Sequence, residues 1–483
     1  MPDDNSQRTR QRGALFGGVF DRGGADTSDN AWLQAMLDAE AALARALERA
    51  RLAPAGSGAK VTSAASAENF DIAELGALSA LTGNPVPGLA RVLTRAVAAA
   101  DREAAAAVHR GATSQDIVDT AAMLLARQSM DATMADLAVA ATAAARLADA
   151  HRNSIMIGRT LLQQAVPVTF GETAASWLSG LDAAIEGLRA TRQTRLAVQF
   201  GGAAGTLASL GDEGTRVAGF MADELDLPLP PLPWHTERLR IIDVATAMAR
   251  VTAALSRIAR DITLLAQTEV AEVSEGAPPA DNNLPDNSNP PDAPRRGGSS
   301  AMPNKNNPVA AIAVLGCAKQ VPGLLATLVA SAEQEHQRAA GGWHAEWEPF
   351  GDVLRLASSA AAWGAELLAN LQVDTGRMER NLAAAGGLPL AERVTALIAE
   401  TTGRPQAHDM VAAAAAKSVA SGVPLRDVLL ASPELESHNI SPERVDLALD
   451  PSRYLGGSEA FISAALHAHQ LITARGRSES QHG

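Results

Sequence analysis

The stretch IVDTAAMLLARQSMDATMADLAVAATAAARLADAH, residues 117–151, decides the fold. Its larger apolar residues, Leu124, Leu125, Met130, Met134, Leu137 and Leu147, recur at helical spacing between alanines, the best intrinsic helix formers. A periodic segment longer than about 25 residues is a coiled coil, a membrane span or part of a long bundle. No uninterrupted apolar run looks long enough to span a membrane, so the spacing predicts a long-helix bundle. Flanking segments agree. A helix is predicted over about Trp32–Arg51, with Leu33, Met36, Leu37, Leu43, Ala44 and Leu47 on one stripe interrupted only by Glu40. Others are predicted over about Pro87–His109, Glu237–Val273 and from Pro308 toward Glu335, the proline suiting a first helical turn. Strand signals are nearly absent, with Ala165–Phe170 and Gly201–Gly205 as small extended or turn elements. The predicted class is all-α. From about Leu371 turns become frequent, which places a smaller helical domain there. The expected division is 1–112, 113–368 and 369–483.

Composition limits the function classes. The chain has 483 residues, 47% hydrophobic and 20% charged, the balance of a globular protein. Forty-one basic against 54 acidic residues leave a net charge of −13. That argues against nucleic acid or an anionic membrane as partner, because both require a dense basic patch. An anionic small molecule remains compatible, given a local cluster of cations. The single cysteine, Cys317, makes no intrachain disulfide and excludes a multi-cysteine metal site. No signal peptide is visible over Met1–Gly13, and a cytoplasmic location is the expectation.

The most informative string is Gly297-Gly298-Ser299-Ser300-Ala301-Met302-Pro303-Asn304-Lys305-Asn306-Asn307-Pro308. It reads as a polar loop feeding a helix start. Exposed backbone N–H groups, a helix dipole and Lys305 together suit a carboxylate or a developing oxyanion. On physics alone, a plain surface loop is an equal reading. Before it, Gly276–Arg296 is rich in Pro, Asn and Asp and forms neither helix nor strand, either a surface insertion or a lid.

The loop resembles the signature of the aspartase/fumarase superfamily, Gly-Ser-x-x-Met-x-x-Lys-x-Asn, at every fixed position from Gly298 to Asn307. Two more blocks stand in the superfamily's order: His109-Arg110-Gly111-Ala112-Thr113-Ser114-Gln115-Asp116 and Gly158-Arg159-Thr160-Leu161-Leu162-Gln163. The resemblance implies three helical domains and a homotetramer around a central long-helix bundle. Each site would take one block from each of three subunits. Gln334-Glu335-His336-Gln337-Arg338, Trp343-His344-Ala345-Glu346-Trp347-Glu348 and Asp450-Pro451-Ser452-Arg453-Tyr454-Leu455-Gly456 are similar to the 3-carboxy-cis,cis-muconate cycloisomerase branch. The middle string lacks His-Glu-x-x-His spacing, so it reads as structure and not as a metal site. No cofactor or metal is expected.

The departures narrow the chemistry. Most superfamily lyases carry a general-acid histidine after Gly-Arg-Thr, and here that position is Leu161. The glutamate orienting that histidine is replaced by Ile312. Without the acid only a weakly basic group leaves readily. The cycloisomerases also lack this acid, yet they usually flank the signature lysine with His and Arg, where this chain has Asn304 and Asn306. The lower positive charge suits a dicarboxylate better than a tricarboxylate. Nitrosuccinate lyases, which resemble this branch, expel nitrite to leave fumarate. The expectation is therefore elimination of nitrite from a substituted succinate, with cycloisomerization as the alternative and an inactive structural homologue as a further one. The resemblance implies Ser299 as the base, with Lys305 and Asn307 holding the enolate-like intermediate. Thr113, Ser114, Arg159 and Thr160 would grip the carboxylates. Arg338 and Arg238 are either members of the anion cluster or ordinary salt bridges, and His109 is either a substitute acid or a satisfied buried histidine.

Overall fold

The structure is a computed structural model that describes residues 14–276, 297–298, 302 and 305–480, side chains 14, 436 and 477–480 excepted. Among them seven helices exceed twenty residues: α1 (Asp29–Arg49), α2 (Ser114–Ala150), α3 (Phe170–Arg195), α4 (Leu239–Leu265), α5 (Val309–Ala330), α6 (Gly342–Ala369) and α7 (Ser458–Ser480). The all-α prediction holds for the long elements. α1 starts where the Ser28 hydroxyl accepts the Ala31 N–H. The helix predicted to reach His109 stops at Ala100, because the Asp101 carboxylate caps a new turn through the N–H groups of Glu103 and Ala104. The one predicted to reach Val273 stops at Leu265, and Val273 instead enters a strand.

The strands form two small antiparallel pairs. β1 (Ile155–Thr160) and β2 (Gln163–Thr169) make a hairpin whose two-residue turn is Leu161-Leu162. β3 (Val273–Glu275) pairs with β4 (Leu371–Val373), a pairing the sequence patterns do not announce.

The chain divides into two compact units, each assembled from separated segments. The first comprises residues 1–138, 184–256 and 313–364, and the second 139–183, 257–312 and 365–483. In the first, the α1 stripe is buried as expected: Leu37, Leu43 and Leu47 are fully covered, each contributing ~1.5–3 kcal/mol. Glu40, on the same stripe, is equally buried. Small residues bring helices close, as where a Cβ at Gly364 would lie 2.5 Å from Leu255. In the second unit the helices after Leu388 enclose a core of Val394, Ile398, Val411, Leu425, Leu429 and Val445.

One expectation needs correction. By length and composition α5 is apolar enough to cross a membrane, although only a third of its most apolar window is buried in the chain. Lys319 and Gln320 sit mid-helix and mask the run when the sequence is read for unbroken apolar stretches. A helix packed among other helices has the same length and composition.

Candidate active site

In the first unit the site is built around the start of α2. The Thr113 N–H is received by Asp116, three residues on, as in a capping box (2.9 Å). Asp116 is fully buried and does more than cap. Its two oxygens also accept the N–H groups of Gly201 (3.0 Å) and Gly202 (2.9 Å), and its Oδ1 lies 2.6 Å from Nε2 of the buried His235. One carboxylate therefore ties the Thr113–Ser114 turn, the Gly201–Gly202 loop and His235 together. Gly202 has φ +68°, and a Cβ there would strike the Gly111 carbonyl at 2.8 Å. Sequence reading quoted Asp116 without giving it a role; the Thr113-x-x-Asp116 capping pattern was the available signal.

Two basic side chains belong to this cluster. Arg338 donates to the carbonyls of Gly202 and Ala203 and, at 3.4 Å, to Gln115. Burial lowers its pKa, opposed by the charges of Asp116 and Asp119, and among the described residues it forms no ion pair. His109, at φ +56°, places Nδ1 2.6 Å from Glu40 while its backbone N–H bonds the other Glu40 oxygen at 2.9 Å. Burial lowers the pKa of His109, but the Glu40 hydrogen bond and charge, with Asp116 behind them, outweigh it and raise the value.

Arg238 leaves the anion set. Its side chain is 1% exposed and locked between Asp119 (2.7 Å) and Glu346 (2.6 Å), with Trp343 Nε1 also bonded to Asp119. Every strong donor direction is taken by a buried carboxylate, so it is an internal strut. Glu346 thereby has a structural partner, and the His344 ring packs edge-on against Trp343 and tilted against Trp347. Among the described residues no group of three His, Cys, Asp or Glu is arranged to hold a metal. A cleft of about 1350 Å³ in this unit holds none of the predicted residues; its lining combines Asp38, Glu68, Asp71 and Glu224 with Arg45 and Arg127, and Arg45 is already paired with Glu224.

In the second unit the hairpin carries the second block. Arg159 is not a free carboxylate clamp, because its two terminal nitrogens pair with both oxygens of the fully buried Glu272, each at 2.8 Å. Asn381 adds a third bond to Glu272 at 2.8 Å. Arg159 therefore anchors the hairpin, while Thr160, next in sequence, is exposed. At the tip, Leu161 and Leu162 have φ +51° and +65°, a conformation bulky residues rarely adopt. They are 95% and 73% exposed. A cleft of about 670 Å³ runs along the hairpin, lined by Thr160, Leu161, Leu162, Arg257 and Asp261 among others.

The third block closes at its neck. The Asn307 N–H and side-chain amide both donate to the Gly297 carbonyl (2.8 and 3.0 Å), and Gly298 bridges Asn306. Gly297 has φ +72°, and a Cβ there would meet the Asn307 carbonyl at 2.5 Å. Lys305 is exposed and unpaired among the described residues, its N–H bonded to Met302. Ser299, Asn304 and, of the Gly276–Arg296 segment expected as a surface insertion or a lid, residues 277–296 lie outside the described residues. The start of α5 differs from expectation: Glu275 takes the N–H groups of Ala310 (3.0 Å) and Ala311 (2.9 Å), so this dipole end is already neutralised from within. Ile312 is exposed, with no carboxylate in its place.

Comparison with known proteins agrees with this geometry. Residues 22–323 match the lyase family model, and 387–465 match the adenylosuccinate lyase C-terminus. The chain is 45% identical over 442 residues to 3-carboxy-cis,cis-muconate cycloisomerase of Bradyrhizobium diazoefficiens, covering 92% of this chain and 94% of that one. It is 42% identical over 450 residues to nitrosuccinate lyase of Streptomyces davaonensis, covering 92% and 91%. The crystal structure of 3-carboxy-cis,cis-muconate lactonizing enzyme from Pseudomonas putida superposes with a TM-score of 0.86 at 38% identity, covering 95% and 99%. With its three ordered blocks and this fold, the chain belongs to the lyase family of the aspartase/fumarase superfamily, in the 3-carboxy-cis,cis-muconate cycloisomerase-like branch.

Proposed function

We propose that the chain is a lyase that eliminates a weakly basic group from a substituted succinate to give fumarate, with nitrite as the leaving group. The observation that carries this reading is Leu161. The residue following Gly-Arg-Thr is an apolar side chain at an exposed hairpin tip, with no proton to give. Ser299 removes the proton from the carbon beside a carboxylate. Lys305 and the loop N–H groups stabilise the negative charge that develops, and Asn307 keeps the loop closed. Thr113, Ser114 and Arg338 hold one carboxylate and Thr160 the other, with Arg159 acting through Glu272 to fix the hairpin. The blocks come together in a homotetramer in the cytoplasm, each site drawing on three subunits.

A second reading, cycloisomerization of a carboxymuconate, has a specific observation behind it: the cycloisomerase relative is the more similar, at 45% against 42%. The comparisons therefore favour it, whereas the neutral Asn304 and Asn306 beside Lys305 favour the dicarboxylate. Assay of the purified protein with 2-nitrosuccinate and with carboxymuconolactone, following fumarate absorbance and nitrite, separates them. Fumarate and nitrite in equal amounts support the first reading. Efficient lactone conversion with no nitrite release replaces it with the second.

A further inference from the structure

Glu40 is the one acidic interruption in the apolar stripe of α1, and the chemistry above does not use it. Continuing the stripe with an apolar residue would avoid the cost of burying a carboxylate, several kcal/mol before compensation. Stability alone therefore gives no reason for an acid at this position. Both Glu40 oxygens are spent on one residue: Oε1 on the His109 ring at 2.6 Å and Oε2 on its backbone N–H at 2.9 Å. His109 is held at φ +56°, a conformation that persists only where surroundings enforce it. With Nδ1 taken, Nε2 is the ring atom without a partner among the described residues, and the side chain remains 25% exposed.

We propose that Glu40 is a positioning residue that holds His109 as an imidazolium, its Nε2–H offered to an anionic group of the substrate bound at the Thr113–Ser114 turn. The charged groups around His109 are consistent with this. Glu40 faces it from α1 and Asp116 from α2, and both favour the cation. Arg110, next in the chain, is turned to the Leu52 carbonyl. His235 is bonded to Asp116 itself, and Arg338 is spent on the Gln115 carboxamide and the carbonyls of Gly202 and Ala203. Lys305 has lost charged neighbours in sequence, and an imidazolium in the first block restores one positive charge for a dianion. The ligand half of this proposal rests on the dicarboxylate reading above; the Glu40 half does not.

The test is a ring-labelled histidine NMR titration of the full-length protein, wild type, Glu40→Gln and Glu40→Asp, with His109→Gln to assign the signal. In the wild type His109 should titrate above the ordinary 6.5. Glu40→Gln should lower it by about one unit or more, with Glu40→Asp between. Fumarate should shift the His109 signal, and at pH 7.5 Glu40→Gln should raise KM roughly tenfold with kcat little changed, moving the alkaline limb of kcat/KM to lower pH. A merely structural glutamate would leave that limb in place. A wild-type value at or below 6.5, or one unmoved in either Glu40 variant, overturns the positioning role. Normal titration with no response of His109 to fumarate overturns the substrate contact and leaves the Glu40 pairing standing. If Glu40→Gln fails to fold, the wild type and Glu40→Asp decide the outcome.

Discussion

The first block and the second are held in opposite ways. At the Thr113 turn everything converges on one buried carboxylate, and Asp116 satisfies three backbone N–H groups and a histidine. In the hairpin a single anchor, the Arg159–Glu272 pair, lies one residue pair short of the turn, and the tip beyond it is two exposed leucines in left-handed conformation. One region is a turn and a glycine loop fixed by a buried acceptor. The other keeps a strained apolar element at the position where superfamily lyases place a proton donor. Local strain of this kind costs of order 1–3 kcal/mol per residue and points to function when it is observed.

The sharpest way to break the contrast is Asp116→Ala. It strips His235 and the glycine loop of their acceptor, and unfolding free energy should fall by about 3–5 kcal/mol in urea denaturation. A loss under 1 kcal/mol would mean that the hub is dispensable. Arg159→Ala leaves Glu272 buried with only Asn381 as side-chain partner and should cost about 3 kcal/mol. Because the guanidinium is committed, Arg159→Ala should reduce turnover through a disordered hairpin, seen as increased amide exchange over 155–169. Unchanged exchange with a raised KM would return Arg159 to the substrate. At the tip the sign reverses. Replacing Leu161-Leu162 with Asn-Gly, the pair favoured where both turn residues have positive φ, should stabilise the protein by about 1 kcal/mol while lowering activity. A loss of stability would show that the leucines are packed and not strained.

The smallest effect is a pH dependence. His109 has a raised pKa in the folded state, so its pairing with Glu40 contributes stability in full below the ordinary histidine range. That contribution should disappear as pH rises through the folded value. Urea midpoints measured between pH 5 and 9 should show the decline in the wild type and a flatter profile in Glu40→Gln.

The long helices were legible because period and alanine content act locally. The helix ends at Ala100 and Leu265 were not, since Asp101 and the β3–β4 pairing override the local pattern. Among the site residues, Thr113 and Ser114 stand at the start of α2 and Lys305 in the segment before α5. The settings of Arg159 and Arg238 were not legible for a common reason: each arginine's partners lie far away in sequence, Glu272 for the one and Asp119 and Glu346 for the other, and for Arg238 the salt-bridge alternative is the one observed. Glu272, just before β3, and Glu275, its last residue, serve different blocks, one through Arg159 and one through the start of α5. Nothing in their sequence spacing announces either contact. Glu40 was visible as a flaw in an apolar stripe, but its meaning required His109 to be placed beside it.

The proposed elimination runs without a general acid at the position after Gly-Arg-Thr. The most direct measurement is kcat/KM for a series of 2-substituted succinates whose leaving groups span weak to strong bases. A steep fall is expected, with nitrite expelled readily and hydroxide or ammonia slower by the order of 10²–10⁴ that a general acid typically contributes. A flat dependence, with malate and aspartate turned over as well as nitrosuccinate, would contradict it.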